Sequence, residues 1–154
     1  MRLFSYRDQS MQPKIGLLRD KSSQEFIDLC ATDPGIPNKL RALIEIDPHF
    51  SMAKQALSNP NAIIHNLSEV KFDVLIDQPG KIVCLGLNYA DHAKEGGNAR
   101  PEYPSFFMRG PSSLTAHLAP IIRPSVSDKL DYEAELAFIV GKKARNLTKE
   151  NALD

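Results

Sequence analysis

The sequence predicts an α+β chain, mainly β, and three observations carry that expectation. Short apolar-polar alternations separated by polar turns fill the first thirty residues, apolar residues at helical spacing are confined to the stretch 36–57, and residues 131–141 hold a period of two. Taken in order, Arg2 to Arg7, Lys14 to Arg19 and Glu25 to Cys30 read as strands, with Asp8 to Gln12 and Asp20 to Gln24 as the hairpin turns between them. Leu40, Leu43 and Ile44 then fall on one face of a helix. Asp47-Pro48 resembles a cap followed by proline at the first helical position, which places a second helix over Pro48 to Leu57, ended by Asn59-Pro60-Asn61.

Asp73 to Asp77 is expected to be another short strand. Gln78-Pro79-Gly80 is a turn signal and divides the chain into a small N-terminal α/β domain, 1–78, and a second part, 79–154. Beyond it, Ile82 to Leu87 suits a buried strand and Asp91 to Gly97 about two helical turns. Residues 101–124 read as irregular, broken only by the apolar Phe106-Phe107-Met108. Thr148 reads as a cap for a helical pattern starting at Ala152 and Leu153.

The chain has 154 residues, with 19 Lys and Arg against 19 Asp and Glu. Zero formal charge excludes attachment to nucleic acid or anionic lipid by bulk positive charge. Hydrophobic residues at 42% and charged residues at 25% match a folded globular chain rather than a disordered one. No window reaches the ~20 apolar residues of a membrane span. Cys30 and Cys84 lie far apart in apolar surroundings with no metal-ligand spacing, so each reads as a small buried hydrophobe, and the cytoplasm is the expected compartment.

In Asp131 to Gly141, the even positions Tyr132, Ala134, Leu136, Phe138 and Val140 make one apolar strand face. The other face is ordered, acidic at Asp131, Glu133 and Glu135 and apolar at Ala137 and Ile139. Carboxylates two residues apart on a strand have Cα atoms about 6.5 to 7 Å apart, close enough to converge on one cation. Oxygen donors without a neighbouring Cys or His suit Mg²⁺, Mn²⁺ or Ca²⁺. The other reading is a solvated strand end whose acids pair with Lys129, Lys142 or Arg145. Similarly, His92 and Glu95 share a helix face at i and i+3, where the carboxylate can orient the imidazole as a base for water. Spacing alone favours an ordinary exposed ion pair there. His49, His65 and His117 read as structural or solvent-facing.

Four stretches occur in the order PGKIVCLGLNYADHAKE, YPSFFMRGPSSL, APIIRP and LDYEAELAFIVGKKARNLTKENALD. Together they resemble the fumarylacetoacetate hydrolase family, in its bacterial 2-keto acid and hydroxymuconate-type subgroup, over residues 79–154. The resemblance implies that the second part is the start of a mixed β-sandwich roll. It implies Glu133 and Glu135 as metal ligands, with a third, an aspartate, expected beyond residue 154, so that the chain reads as truncated within the catalytic fold. It also implies His92 and Glu95 as the catalytic pair that activates water. Arg109 stands where many relatives have lysine; being permanently cationic and planar, it suits substrate carboxylate binding rather than proton transfer. Ser112 and Ser113 are further substrate-binding candidates, or loop caps.

The activity so implied is metal-dependent hydrolysis of C–C bonds in ketonic substrates of the fumarylacetoacetate or acylpyruvate kind, within aromatic compound catabolism, with Mg²⁺, Mn²⁺ or Ca²⁺ as cofactor. Isomerisation or decarboxylation of a related dicarboxylic keto acid is the alternative, and a catalytically silent fragment is a third reading. The expected partner is a small keto-acid substrate, without nucleic acid or membrane, in a homodimer of the full-length form.

Overall fold

The computed structural model describes residues 1–97, 99 and 101–153, and of residue 92 the backbone alone. Five strands, β1 (Leu3–Arg7), β2 (Pro13–Leu18), β3 (Glu25–Asp28), β4 (Ile64–Asn66) and β5 (Lys71–Phe72), form one antiparallel sheet in the order β4-β3-β2-β1-β5. The helices α1 (Leu29–Thr32), α2 (Leu40–Ile46) and α3 (Ser51–Leu57) interrupt it between β3 and β4. A separate antiparallel pair joins β6 (Ile82–Gly86) to β7 (Ser105–Arg109), with α4 (Ala90–Glu95) between them. The fold is mixed α/β and mostly β. No helix among the described residues is long and apolar enough to cross a membrane.

Strand alternation separates the two faces of the larger sheet. Ile15, Leu17 and Ile27 point to one side and meet Leu29, Leu40, Leu43, Ile44, Ala53 and Ala56 from the helices, forming the main core. Leu40, Leu43 and Ile44 present one stripe at i, i+3 and i+4, which is why α2 lies flat on the sheet. The first hairpin closes through Asp8, whose carboxylate accepts from the amides of Ser10 and Gln12, both at 2.9 Å.

The opposite face is aromatic. The Phe4 ring lies 5.1 Å from Phe26, 5.4 Å from Phe72 and 5.8 Å from Tyr6, while His65 meets Phe26 at a tilt and His117 meets Phe72 edge-on. At its centre the buried Tyr6 hydroxyl donates to Asp28 Oδ2 at 2.8 Å. Asp28 Oδ1 accepts from the Ala31 amide and so caps α1. Burial, then the bond to Asp28, pushes the Tyr6 phenol well above its ordinary pKa.

Gly16 is the cross-strand partner of Phe4, and a Cβ built there would sit 2.2 Å from Phe4 Cζ. Because Phe26, Phe72 and Tyr6 hem the ring in, it has little freedom to yield. Gly16→Ala is therefore expected to destabilise the chain by about 1–3 kcal/mol. Phe4→Leu in the same chain should recover part of that loss, as read by urea midpoints; equal stability of Gly16→Ala and the parent would contradict the packing described.

Several expected elements differ. The helix expected from Pro48 begins at Ser51, because Asp47 is needed to end α2, its amide donating to Leu43 O at 2.8 Å. The chain then reverses through Phe50 in the left-handed region (φ 55°). Asp47 still serves α3, since its Oδ2 accepts from the Met52 amide at 2.8 Å. That bond holds the Asp47 carboxyl below its ordinary pKa. A depressed folded value adds stability that is complete above the unfolded pKa of about 3.9 and is lost as pH falls through the lower folded value. Asp47→Asn should therefore be less stable than the parent at neutral pH, with the gap closing in acid. A gap independent of pH would contradict this.

The strand expected at Asp73 to Asp77 is displaced to β5, and the Phe106-Phe107-Met108 stretch is a strand rather than an interruption in a loop. In place of the expected C-terminal helix, residues 149–153 form turns. The strand expected over Asp131 to Gly141 is absent: no described segment takes up its backbone groups as a ladder. Its apolar face consequently stays open, with Tyr132 88%, Phe138 77% and Val140 83% exposed. Cys30 and Cys84 are free and half-buried; burial pushes the Cys30 thiol up.

Candidate active site

The site candidates lie on β6, α4, β7 and the extended stretch that follows. After Gly86, Leu87 adopts the left-handed region (φ 51°), turning the chain sharply out of β6. Tyr89 O accepts from the Ala93 amide at 3.1 Å and opens α4, whose Ala93 is buried at 2% exposure. Gly97, at φ 67°, closes the turn after the helix, with its amide donating to Lys94 O. Glu95 is exposed on α4. The His92 side chain lies outside the described residues.

The β6–β7 register pairs Gly86 with Ser105 and Ile82 with Arg109. Arg109 therefore sits at the opposite end of the ladder from α4, about 13 Å away along the strand. Its guanidinium lies over the Phe107 ring, 5.8 Å from the centroid, a cation–π contact that keeps it extended along the strand. Ser112 and Ser113 follow in a single 3₁₀ turn, where the Ser113 hydroxyl donates to Gly110 O at 2.7 Å. That bond is a loop-closing one, and it leaves the hydroxyl oxygen free to accept. Arg109 ends the ladder and Ser112 and Ser113 follow it in the chain, all at the end away from Glu95.

Glu133 and Glu135 are exposed on the extended stretch, and an open groove runs past Ile121, Leu130, Asp131, Tyr132, Glu133 and Ala134. One residue past Glu135, the Leu136 amide donates to Tyr89 Oη at 2.9 Å. This bond, spanning 47 residues, ties the acidic pair to the residue that opens α4. Sequence reasoning missed Tyr89, because a single aromatic between a strand and a helix gives no sign of a partner so distant.

Two carboxylates two residues apart offer only hard oxygen donors. Among the described residues no group of three His, Cys, Asp or Glu side chains is placed to hold a metal ion. A pair of this kind suits a hard divalent cation that keeps waters in its remaining positions.

Residues 81–154 match the family model described as "Fumarylacetoacetate (FAA) hydrolase C-terminal". Over that half the chain is similar to proteins of the fumarylacetoacetate hydrolase family. It is 38% identical over 157 aligned residues to the mitochondrial oxaloacetate tautomerase fahd2 of Xenopus laevis, covering 100% of this chain and 48% of that one. It is also 45% identical over 109 residues to an uncharacterized protein of Methanocaldococcus jannaschii, covering 71% of this chain and 41% of that one. Among solved structures, a Mycobacterium smegmatis protein named as a candidate HpcE superposes with a TM-score of 0.52 at 21% identity, covering 73% of this chain and 37% of that one, which supports the fold. The chain spans about half the length of the curated relatives it matches.

Proposed function

We propose that this chain supplies the acidic metal-binding segment and the proton-transfer helix of an enzyme acting on small 2-keto acids through their enol forms. The observation that supports the reading is the bond from Leu136 to Tyr89, which links the stretch carrying Glu133 and Glu135 to the residue at the start of the helix bearing His92 and Glu95. Glu133 and Glu135 would hold a divalent cation, Mg²⁺ or Mn²⁺, which when bound supplies a positive charge to polarise a substrate oxygen and favour its enolate form. His92 is the residue to hold and move the proton, either at the substrate carbon or at a water. Glu95, three residues further along the same helix, is the carboxylate we assign to work with it. Arg109 is a fixed cation suited to a substrate carboxylate, but the ladder stands it at the opposite end from α4, so neither proposed reaction depends on it.

Two reactions use this set. Keto–enol isomerisation needs only a proton moved between carbon and oxygen, and the name of the Xenopus laevis relative favours it, with oxaloacetate as the substrate to try first. Hydrolysis of a C–C bond needs His92 and Glu95 to activate water as well, and the sequence motif around His92 favours that reading. Both free thiols suit a reducing compartment, for which the cytoplasm is our reading, and a homodimer is the assembly we expect.

The complete gene product, assayed with Mg²⁺ or Mn²⁺ on oxaloacetate and on an acylpyruvate, separates the two reactions. Loss of enol absorbance without carbon products marks the tautomerase. Pyruvate released from the acylpyruvate marks the hydrolase. Neither signal with either cation would overturn the proposal.

A further inference from the structure

We infer that Tyr89 is a positioning residue, whose hydroxyl accepts the Leu136 amide proton and thereby sets where Glu133 and Glu135 stand relative to α4. The inference rests on the reading of those glutamates as cation ligands and adds a residue that acts through them. Residues 130–140 belong to no ladder, so their backbone lacks the register that a sheet would impose. The bond to Tyr89, 2.9 Å long, anchors that stretch one residue from Glu135. On the other side, the anchor itself is well placed: Leu87 turns the chain at positive φ, and Tyr89 O is already engaged by the Ala93 amide at the start of α4. The Tyr89 side chain reaches across to the acidic stretch while its own backbone is fixed in the helix start.

Tyr89 is 41% exposed, so its ring is not a core element, and Tyr89→Phe removes the acceptor while sparing the packing. The experiment compares the parent and Tyr89→Phe forms of the 154-residue chain by amide hydrogen exchange without metal, by melting, and by Mn²⁺ titration in a calorimeter, with Glu133→Gln as a reference for the cation site. Exchange at Leu136 is expected to quicken about fivefold in Tyr89→Phe, the equivalent of one modest hydrogen bond. Mn²⁺ affinity is expected to fall about threefold to tenfold with the melting temperature unchanged. Unchanged exchange at Leu136 would overturn the anchor, and so would Mn²⁺ affinity unaltered by Tyr89→Phe in a parent chain that Glu133→Gln disables. A parent chain that binds no Mn²⁺, yet loses Leu136 protection on substitution, would overturn the cation reading and keep the anchor, so the two failures are distinguishable.

Discussion

Glu133→Gln in the complete gene product is expected to cut metal-dependent turnover by about 100-fold or more, since altering groups that merely support metal ligands already costs 10- to 100-fold. The substitution keeps the shape of the side chain and removes its charge. One carboxylate is then left to hold a cation whose water shell is reluctant to leave. The folded state should hardly notice, because Glu133 is exposed on a stretch that belongs to no sheet. The measurements are initial rates across a Mg²⁺ titration and the melting temperature without metal. Undiminished turnover with unchanged Mg²⁺ dependence would remove Glu133 from the site; a large loss of melting temperature would reassign it to the fold.

Leu17→Ala is expected to destabilise the 154-residue chain by about 2–5 kcal/mol. Leu17 is wholly buried on β2, the central strand, between Leu3 on β1 and Ile27 on β3. Truncation there leaves a cavity that two flanking strands and a covering layer of helices cannot close. Val140→Ala, by contrast, removes methyl groups from a side chain 83% exposed and is expected to cost less than about 0.5 kcal/mol. Urea unfolding of the two variants reads the difference. A comparable loss at Val140 would show that the stretch 131–141 is packed in solution.

What the sequence made readable follows from where each signal originates. β1, β2, β3 and α2 were legible because their apolar periodicity is decided by the core they themselves build, with Ile15, Leu17, Leu40 and Leu43 all buried. The start of α3 was misplaced because Asp47 serves two helices, ending one through its amide and supporting the next through its carboxylate. β7 was hidden because Phe106, Phe107 and Met108 are consecutive and exposed, so no alternation marks them. The acidic stretch had clear strand periodicity, yet periodicity cannot supply a neighbouring strand. At the candidate site, the glutamates and the His92 helix could be proposed from their motifs, but the contact between their two segments lies in a tyrosine hydroxyl and a backbone amide, which carry no pattern.

Paramagnetic broadening by Mn²⁺ tests the central claim most directly, because it reports where a divalent cation sits whether or not catalysis occurs. With substoichiometric Mn²⁺ added to the isotopically labelled 154-residue chain, the predicted result is selective loss of amide signals from Asp131 to Leu136 and from Tyr89 to Glu95, relieved by Glu133→Gln. Broadening spread evenly over the surface carboxylates, or centred elsewhere and unaffected by Glu133→Gln, would contradict it.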